Sequence, residues 1–147
     1  MRNTATVTNG GAMQYTDLLG IMPGVRGAAR RFSIPGGARE THLILAPARG
    51  GAFPRQLRQL EDAYAAAQQV LELNPGSVVL RRVFASDLAN QREALRGSPL
   101  LQETAVSLVE QPPLPEAKLA LYAYHVEDPL HPPSLRLVDG QTALWEH

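Results

Sequence analysis

The chain has no cysteine, which excludes disulfides, thiolate nucleophiles and cysteine-bound zinc. Aromatic residues make up only 5% of its 147 residues, too few for a surface that stacks nucleobases along a strand. No apolar run approaches the roughly 20 residues of a membrane-spanning helix. Met1–Tyr15 is polar and Gly-rich, without the apolar stretch of a secretory leader. A cytoplasmic protein is therefore expected, with no membrane partner. Net charge is also lacking: 14 basic residues balance 14 acidic ones.

The balance hides an asymmetry. Residues 1–60 carry eight arginines (Arg2, Arg26, Arg30, Arg31, Arg39, Arg49, Arg55, Arg58) against Asp17 and Glu40. A nucleic-acid surface can show such a bias. These arginines are scattered in sequence, so the expectation is interleaving in the fold, and nucleic acid is not an expected partner.

The length suits one domain with a real core. Residues 1–12, built of Thr, Asn and Gly, read as a flexible N-terminal arm, and residues 13–147 as a single α+β domain. Strands are expected over Met13–Met22, Ala28–Ile34 and Thr41–Ala48, separated by Pro23-Gly24 and Pro35-Gly36-Gly37. Arg55–Asn74 reads as a helix, with Pro54 in its first turn and Leu57, Leu60, Tyr64, Ala67 and Leu71 as one apolar stripe. Ser77–Ser86 is a β-branched strand. Leu88–Arg96 reads as a short helix capped by Ser86 or Asp87. Thr104–Gln111 and Lys118–Val126 follow as strands, then a hairpin of Ser134–Val138 and Thr142–Trp145 around Asp139-Gly140. A strand–helix–strand crossover beside hairpin strands implies a mixed β-sheet with two helices on one face. The other face would carry Val, Leu, Phe and Tyr uncovered, so self-association is the expected way to bury it.

Few residues stand out chemically. His42, His125, His131 and His147 form no metal-binding spacing, and no metal or cofactor is expected. His42 and His125 lie on expected strands and could meet in space, but ordinary partly buried or exposed roles are the expectation for both. The serines lie in no nucleophile elbow, and Gly36-Gly37 and Gly50-Gly51 lack the lysine of a phosphate loop. Arg81-Arg82 is the exception. Adjacent strand residues face opposite sides, and burying an unpaired charge is costly, so each arginine needs a carboxylate, an anion or water. The choices are an edge or inter-subunit ion pair, with Glu110 or Glu103, or an anion clamp in a cleft.

The middle of the chain resembles the RidA/YjgF family, also called endoribonuclease L-PSP-like. Val83-Phe84-Ala85-Ser86-Asp87-Leu88 is similar to the family's strand-to-helix motif. Val109-Glu110 with Leu114-Pro115 is similar to the strand and turn before its last strand. The likeness spans Thr41–Val126. It implies a chorismate-mutase-like, RidA-like fold assembled as a barrel-like homotrimer with clefts between subunits. It also implies what is missing. The family's carboxylate-binding arginine falls on Val106, its water-positioning glutamate on Tyr122, and its strand-end Ser-Gly near Ala46-Pro47. Valine cannot make the bidentate pair a carboxylate needs, and a tyrosine is a poor general base at neutral pH. Deamination of 2-iminobutanoate-type imines is thus not expected. The expected function is binding of a small carboxylate or planar anionic metabolite at a cleft lined by Arg82, Phe84, Val106, Tyr122 and His125. The alternative is a superfamily enzyme, an imine or enamine hydrolase or an endoribonuclease, using other residues.

Overall fold

The computed structural model describes residues 3–8, 11–113, 115–137 and 143–146. Its element order is β1 (Asn3–Thr8), β2 (Gly11–Asp17), β3 (Val25–Ser33), β4 (Arg39–Pro47), α1 (Phe53–Val70), β5 (Val78–Ala85), α2 (Leu88–Arg96), β6 (Ala105–Glu110), β7 (Leu119–Glu127), β8 (Ser134–Leu137) and β9 (Ala143–Glu146). Single 3-10 turns at Pro75–Ser77 and Pro99–Leu101 precede β5 and follow α2.

Seven strands form one sheet in the order β1-β2-β3-β4-β7-β5-β6. Every neighbouring pair is antiparallel except β5 and β6, which run parallel because α2 carries the chain back across the sheet. This is the mixed α+β layer expected from the sequence. Within residues 1–12, read as a loose arm, Asn3–Thr8 form β1, which pairs with β2 from Asn3–Thr16 to Thr8–Gly11. Weak core-forming potential did not prevent pairing, because backbone hydrogen bonds to an existing edge need no apolar side chains. The expected terminal hairpin appears as antiparallel β8 and β9 in a separate two-stranded sheet; the turn expected at Asp139-Gly140 lies outside the described residues.

Both helices lie on one face. The stripe Leu57, Leu60, Tyr64, Ala67 and Leu71 is buried, and it shares a single apolar cluster with Ala29, Leu43, Leu45, Val83, Leu119, Leu121 and, from α2, Leu88 and Leu95. Burying one such leucine is worth about 1.5–3 kcal/mol, an upper estimate. The helix ends four residues before Asn74. Glu72 takes a left-handed conformation at φ 51°, and Leu71, Glu72 and Leu73 donate back to the last carbonyls of α1. Arg31, from β3, also donates to the Leu71 carbonyl and so caps that end. At α2 the capping residue is Asp87, which accepts from Asn90 N at 3.2 Å.

Gly27 shows how close β3 and β4 approach the core. A side chain there would place Cβ 2.4 Å from Leu45 Cδ2 and 2.5 Å from the Ile44 carbonyl oxygen. Gly27→Ala is expected to cost about 2 kcal/mol by forcing the backbone apart, read as a lower urea midpoint at unchanged slope. A loss below about 0.5 kcal/mol would show that the strands part freely.

Candidate functional site

The sheet's alternation sorts the sequence-predicted residues onto two faces. On β5, Arg81, Val83 and Ala85 are buried toward the helices, whereas Arg82 is exposed and Phe84 half-buried on the open face. Tyr122 of β7 is the register partner of Arg82. The structure therefore brings Arg82, Phe84 and Tyr122 together, with the phase expected from sequence. Ser107 of β6 pairs with Arg82 on the other side.

Two predicted residues do not join them. Val106 pairs with Arg81, not Arg82, and its face of β6 is the one from which Leu108 packs against the core. The motif alignment located Val106 in the chain but not its side of the sheet. His125 is buried at 0% exposure beneath α1. It lies three residues from Tyr122 on one strand, an odd spacing, and so faces the opposite side. His42 is on the open face, so the two histidines do not form a shared site.

His42 was the missed member of the open-face group. Its Nδ1 is 2.8 Å from the Tyr122 hydroxyl, its ring stacks on Tyr124 at 4.7 Å between centroids, and Phe32 meets it edge-on at 5.9 Å. The signal was available: His42, Tyr122 and Tyr124 occupy equal phases of β4 and β7, but only the register decides which rungs align. Ile44, 56% exposed, sits opposite Tyr122. Partial burial raises the Tyr122 hydroxyl's pKa, with Arg82 opposing and Glu40 adding to the rise. Tyr124 is pushed up to about 12 by burial first and then by Glu40. Both hydroxyls thus stay protonated donors at neutral pH. Arg82 has neither a hydrogen bond nor an ion pair among the described residues, so its fork is available to an anion.

Arg81 and His125 belong to a different, buried system. Arg81 Nη1 donates to the carbonyls of Pro99 (3.1 Å), Leu100 (3.4 Å) and Gln102 (2.7 Å). Its guanidinium lies 5.2 Å over the Tyr64 ring, and Nε reaches the Tyr64 hydroxyl at 3.5 Å. Within the chain Arg81 makes no ion pair with Glu103 or Glu110 among the described residues. The carbonyls ending the Pro99–Leu101 turn supply the negative ends of peptide dipoles instead, and Glu110 accepts from Leu88 N at 3.1 Å. Tyr64 continues the chain to His125 Nε2 at 2.9 Å. Ser77 Oγ donates to the Asn74 carbonyl at 2.6 Å, so it accepts from His125 Nδ1 at 2.9 Å. This order of donors assigns the imidazole proton to Nδ1. Burial, then Arg81 and Arg31, lower the His125 pKa to about 4, so the ring is neutral near pH 7. With its hydroxyl proton committed to Asn74, Ser77 is not poised as a nucleophile.

Among the described residues no group of His, Asp or Glu is placed to hold a metal, and no helix is long and apolar enough to cross a membrane. No family model matches the chain and no curated protein matches it. Solved structures do. A member of the highly conserved YjgF family from Mycobacterium tuberculosis is 15% identical, with a TM-score of 0.41 over 66% of this chain and 84% of that one. A protein of unknown function of the conserved Rid family from Yersinia pestis is 12% identical, with a TM-score of 0.42 over 65% and 83%. A YjgF family member from Neisseria meningitidis is 14% identical, with a TM-score of 0.44 over 66% and 84%. The solved structures to which this chain is similar thus include members of the YjgF and Rid families.

Proposed function

We propose that this chain is a divergent RidA/YjgF-like protein that binds a small carboxylate or another planar anion on the open face of its sheet. In this reading three copies associate through that face, and the ligand lies in the cleft between them. One observation carries it. Arg82 stands on the open face without an acidic partner among the described residues, flanked by the flat surfaces of Tyr122 and Phe84. A guanidinium offers a carboxylate two parallel donors, and the aromatic rings supply planar contact area. Association would cover Phe32, Ile44 and their neighbours, which a lone chain leaves in water.

A second reading, a hydrolase of imines or enamines with other residues, draws on the His42–Tyr122 hydrogen bond. A tyrosine hydroxyl held by an imidazole beside an arginine can donate a proton to a bound anion's heteroatom. The family's own imine deamination remains unexpected, because Val106 and Tyr122 stand where the resemblance puts its arginine and glutamate.

Arg82→Ala tests the binding site. Benzoate and 2-oxobutanoate are expected to raise the melting temperature of the parent protein saturably and to lose that effect in the variant. Light scattering should report about three times the 16.0 kDa chain mass for both proteins. An undiminished response in Arg82→Ala would refute the site, and a monomer at micromolar concentration would refute the cleft.

A further inference from the structure

At one end of the sheet, away from the Arg82 group, lies a cavity of about 420 Å³ lined by Pro23, Gly24, Arg49, Gly50, Arg55 and Gln59. That volume falls in the class of small-molecule sites. Its walls come from three segments: the β2–β3 turn, the β4–α1 loop, and the first turns of α1. The chain's own hydrogen bonds tie these walls together. Ala48 N donates to the Gly24 carbonyl at 2.7 Å, joining the turn to the end of β4. Gln56, 1% exposed, donates to the Arg49 carbonyl at 3.1 Å and the Glu116 carbonyl at 2.9 Å, and accepts from Lys118 N at 2.8 Å. A buried amide that uses both donors and its acceptor in this way holds the Arg49 backbone in place on the cavity rim.

The charged lining residues are both basic, and Glu116 stands beside the Gly50 wall, its Cβ 3.8 Å from where a side chain at Gly50 would begin. Neither the Arg49 nor the Arg55 side chain makes a hydrogen bond or ion pair among the described residues, and none of the six lining residues is an acid. Two like charges sharing one concavity repel, and Arg55 also stands in the first turn of a helix, where a cation is disfavoured. An anion seated between the two guanidinium groups would offset that repulsion. Gln59 adds an uncharged amide, whose Nε2 lies 3.2 Å from where a side chain at Gly24 would begin. Gly24 adopts φ +80°, so the turn is built to leave that space open.

We infer that this cavity binds the phosphate of a phosphorylated small molecule, with Arg49 and Arg55 as its two guanidinium clamps. Guanidinium forks match phosphate oxygens in geometry as well as charge. The volume exceeds that of a bare phosphate ion, leaving room for the group that carries it. The site is separate from the Arg82 face and does not depend on the function proposed there.

The test is thermal melting at constant ionic strength, with inorganic phosphate and glycerol 3-phosphate as probes and chloride as the control anion. The parent protein is expected to show a saturable rise in melting temperature with both phosphates and none with chloride. Arg49→Ala and Arg55→Ala should each weaken apparent affinity about tenfold, as loss of one charge-assisted contact does. Both side chains are exposed, so the variants should fold, as circular dichroism would verify. Arg82→Ala should leave the phosphate response intact. The inference is overturned if chloride matches phosphate, if the Arg49→Ala/Arg55→Ala double variant keeps the response, or if Arg82→Ala alone abolishes it. Stabilisation by an oligonucleotide but by neither phosphate probe would also overturn the small-molecule assignment.

Discussion

Arg81→Met is expected to lower the folding free energy by about 3 kcal/mol, whereas Arg82→Met, one residue along the strand, should change it by less than about 0.5 kcal/mol. The two arginines are adjacent in sequence and opposite in environment. Arg81, 8% exposed, is the donor for three backbone carbonyls and covers the Tyr64 ring. Methionine replaces its length but not its donors, taking them from the buried Leu100 carbonyl and from the part-buried Pro99 and Gln102 carbonyls, of which Pro99 keeps the Gln102 N–H at 3.3 Å. Each orphaned acceptor costs about 1–3 kcal/mol, and relief of the arginine's own desolvation offsets part of the sum. Arg81→Lys should recover only a fraction, because one ammonium cannot span acceptors on Pro99, Leu100 and Gln102 while reaching Tyr64. Denaturant midpoints at fixed protein concentration decide the matter. Equal losses for Arg81→Met and Arg82→Met would mean that the carbonyl cluster is solvated and the cluster argument wrong.

The second large effect is acid destabilisation through His125. Its folded pKa of about 4 lies below the ordinary value of 6.5. As pH falls, the unfolded chain takes up this proton before the folded one. The stabilisation is complete above about pH 6.5, is lost progressively down to about pH 4, and levels off below that. About two and a half pK units correspond to about 3 kcal/mol. The structural cause is specific. Nε2 accepts from Tyr64, so a protonated ring would confront the Tyr64 hydroxyl with a second donor, beside the fixed charge of Arg81. His125→Gln should be less stable at pH 7 yet lose this pH window, leaving only the carboxylates' own acid dependence. If stability between pH 7 and 4.5 fell equally in the parent and His125→Gln, His125 would not be the responsible group.

Much of the architecture was legible in the chain because local chemistry dictated it. The Leu57–Leu71 stripe forced a helix against the sheet. Pro-Gly pairs placed turns after β2 and β3, and β-branched runs marked β5 and β7. The α2 boundaries followed from Asp87 before and Gly97 after. Alternation put Arg81 and Arg82 on opposite sides of β5, and the apolar neighbours Val83 and Ala85 share the phase of Arg81.

What remained hidden depends on register and on long-range pairing. Composition argued against structure in residues 3–8, but β2 offered an unpaired edge that no local reading reveals. Val106 and His125 were each one strand position away from the face assigned to them. A one-residue change of phase moves a side chain through the sheet, and motif likeness does not resolve that step. His42 joined Tyr122 and Tyr124 only because β4 and β7, separated by two helices in the chain, became neighbours. The partner of Arg81 was equally unreadable, since backbone carbonyls carry no mark in the sequence. The amino-acid sequence by itself determined the element types, the helix-covered face and the need of Arg81 and Arg82 for partners, because these follow from periodicity and desolvation within short windows. Only the tertiary structure decided which rungs align, which carbonyls meet Arg81, and that Pro23-Gly24 completes a cavity with Arg49 and Arg55, because those depend on contacts between segments far apart in the chain.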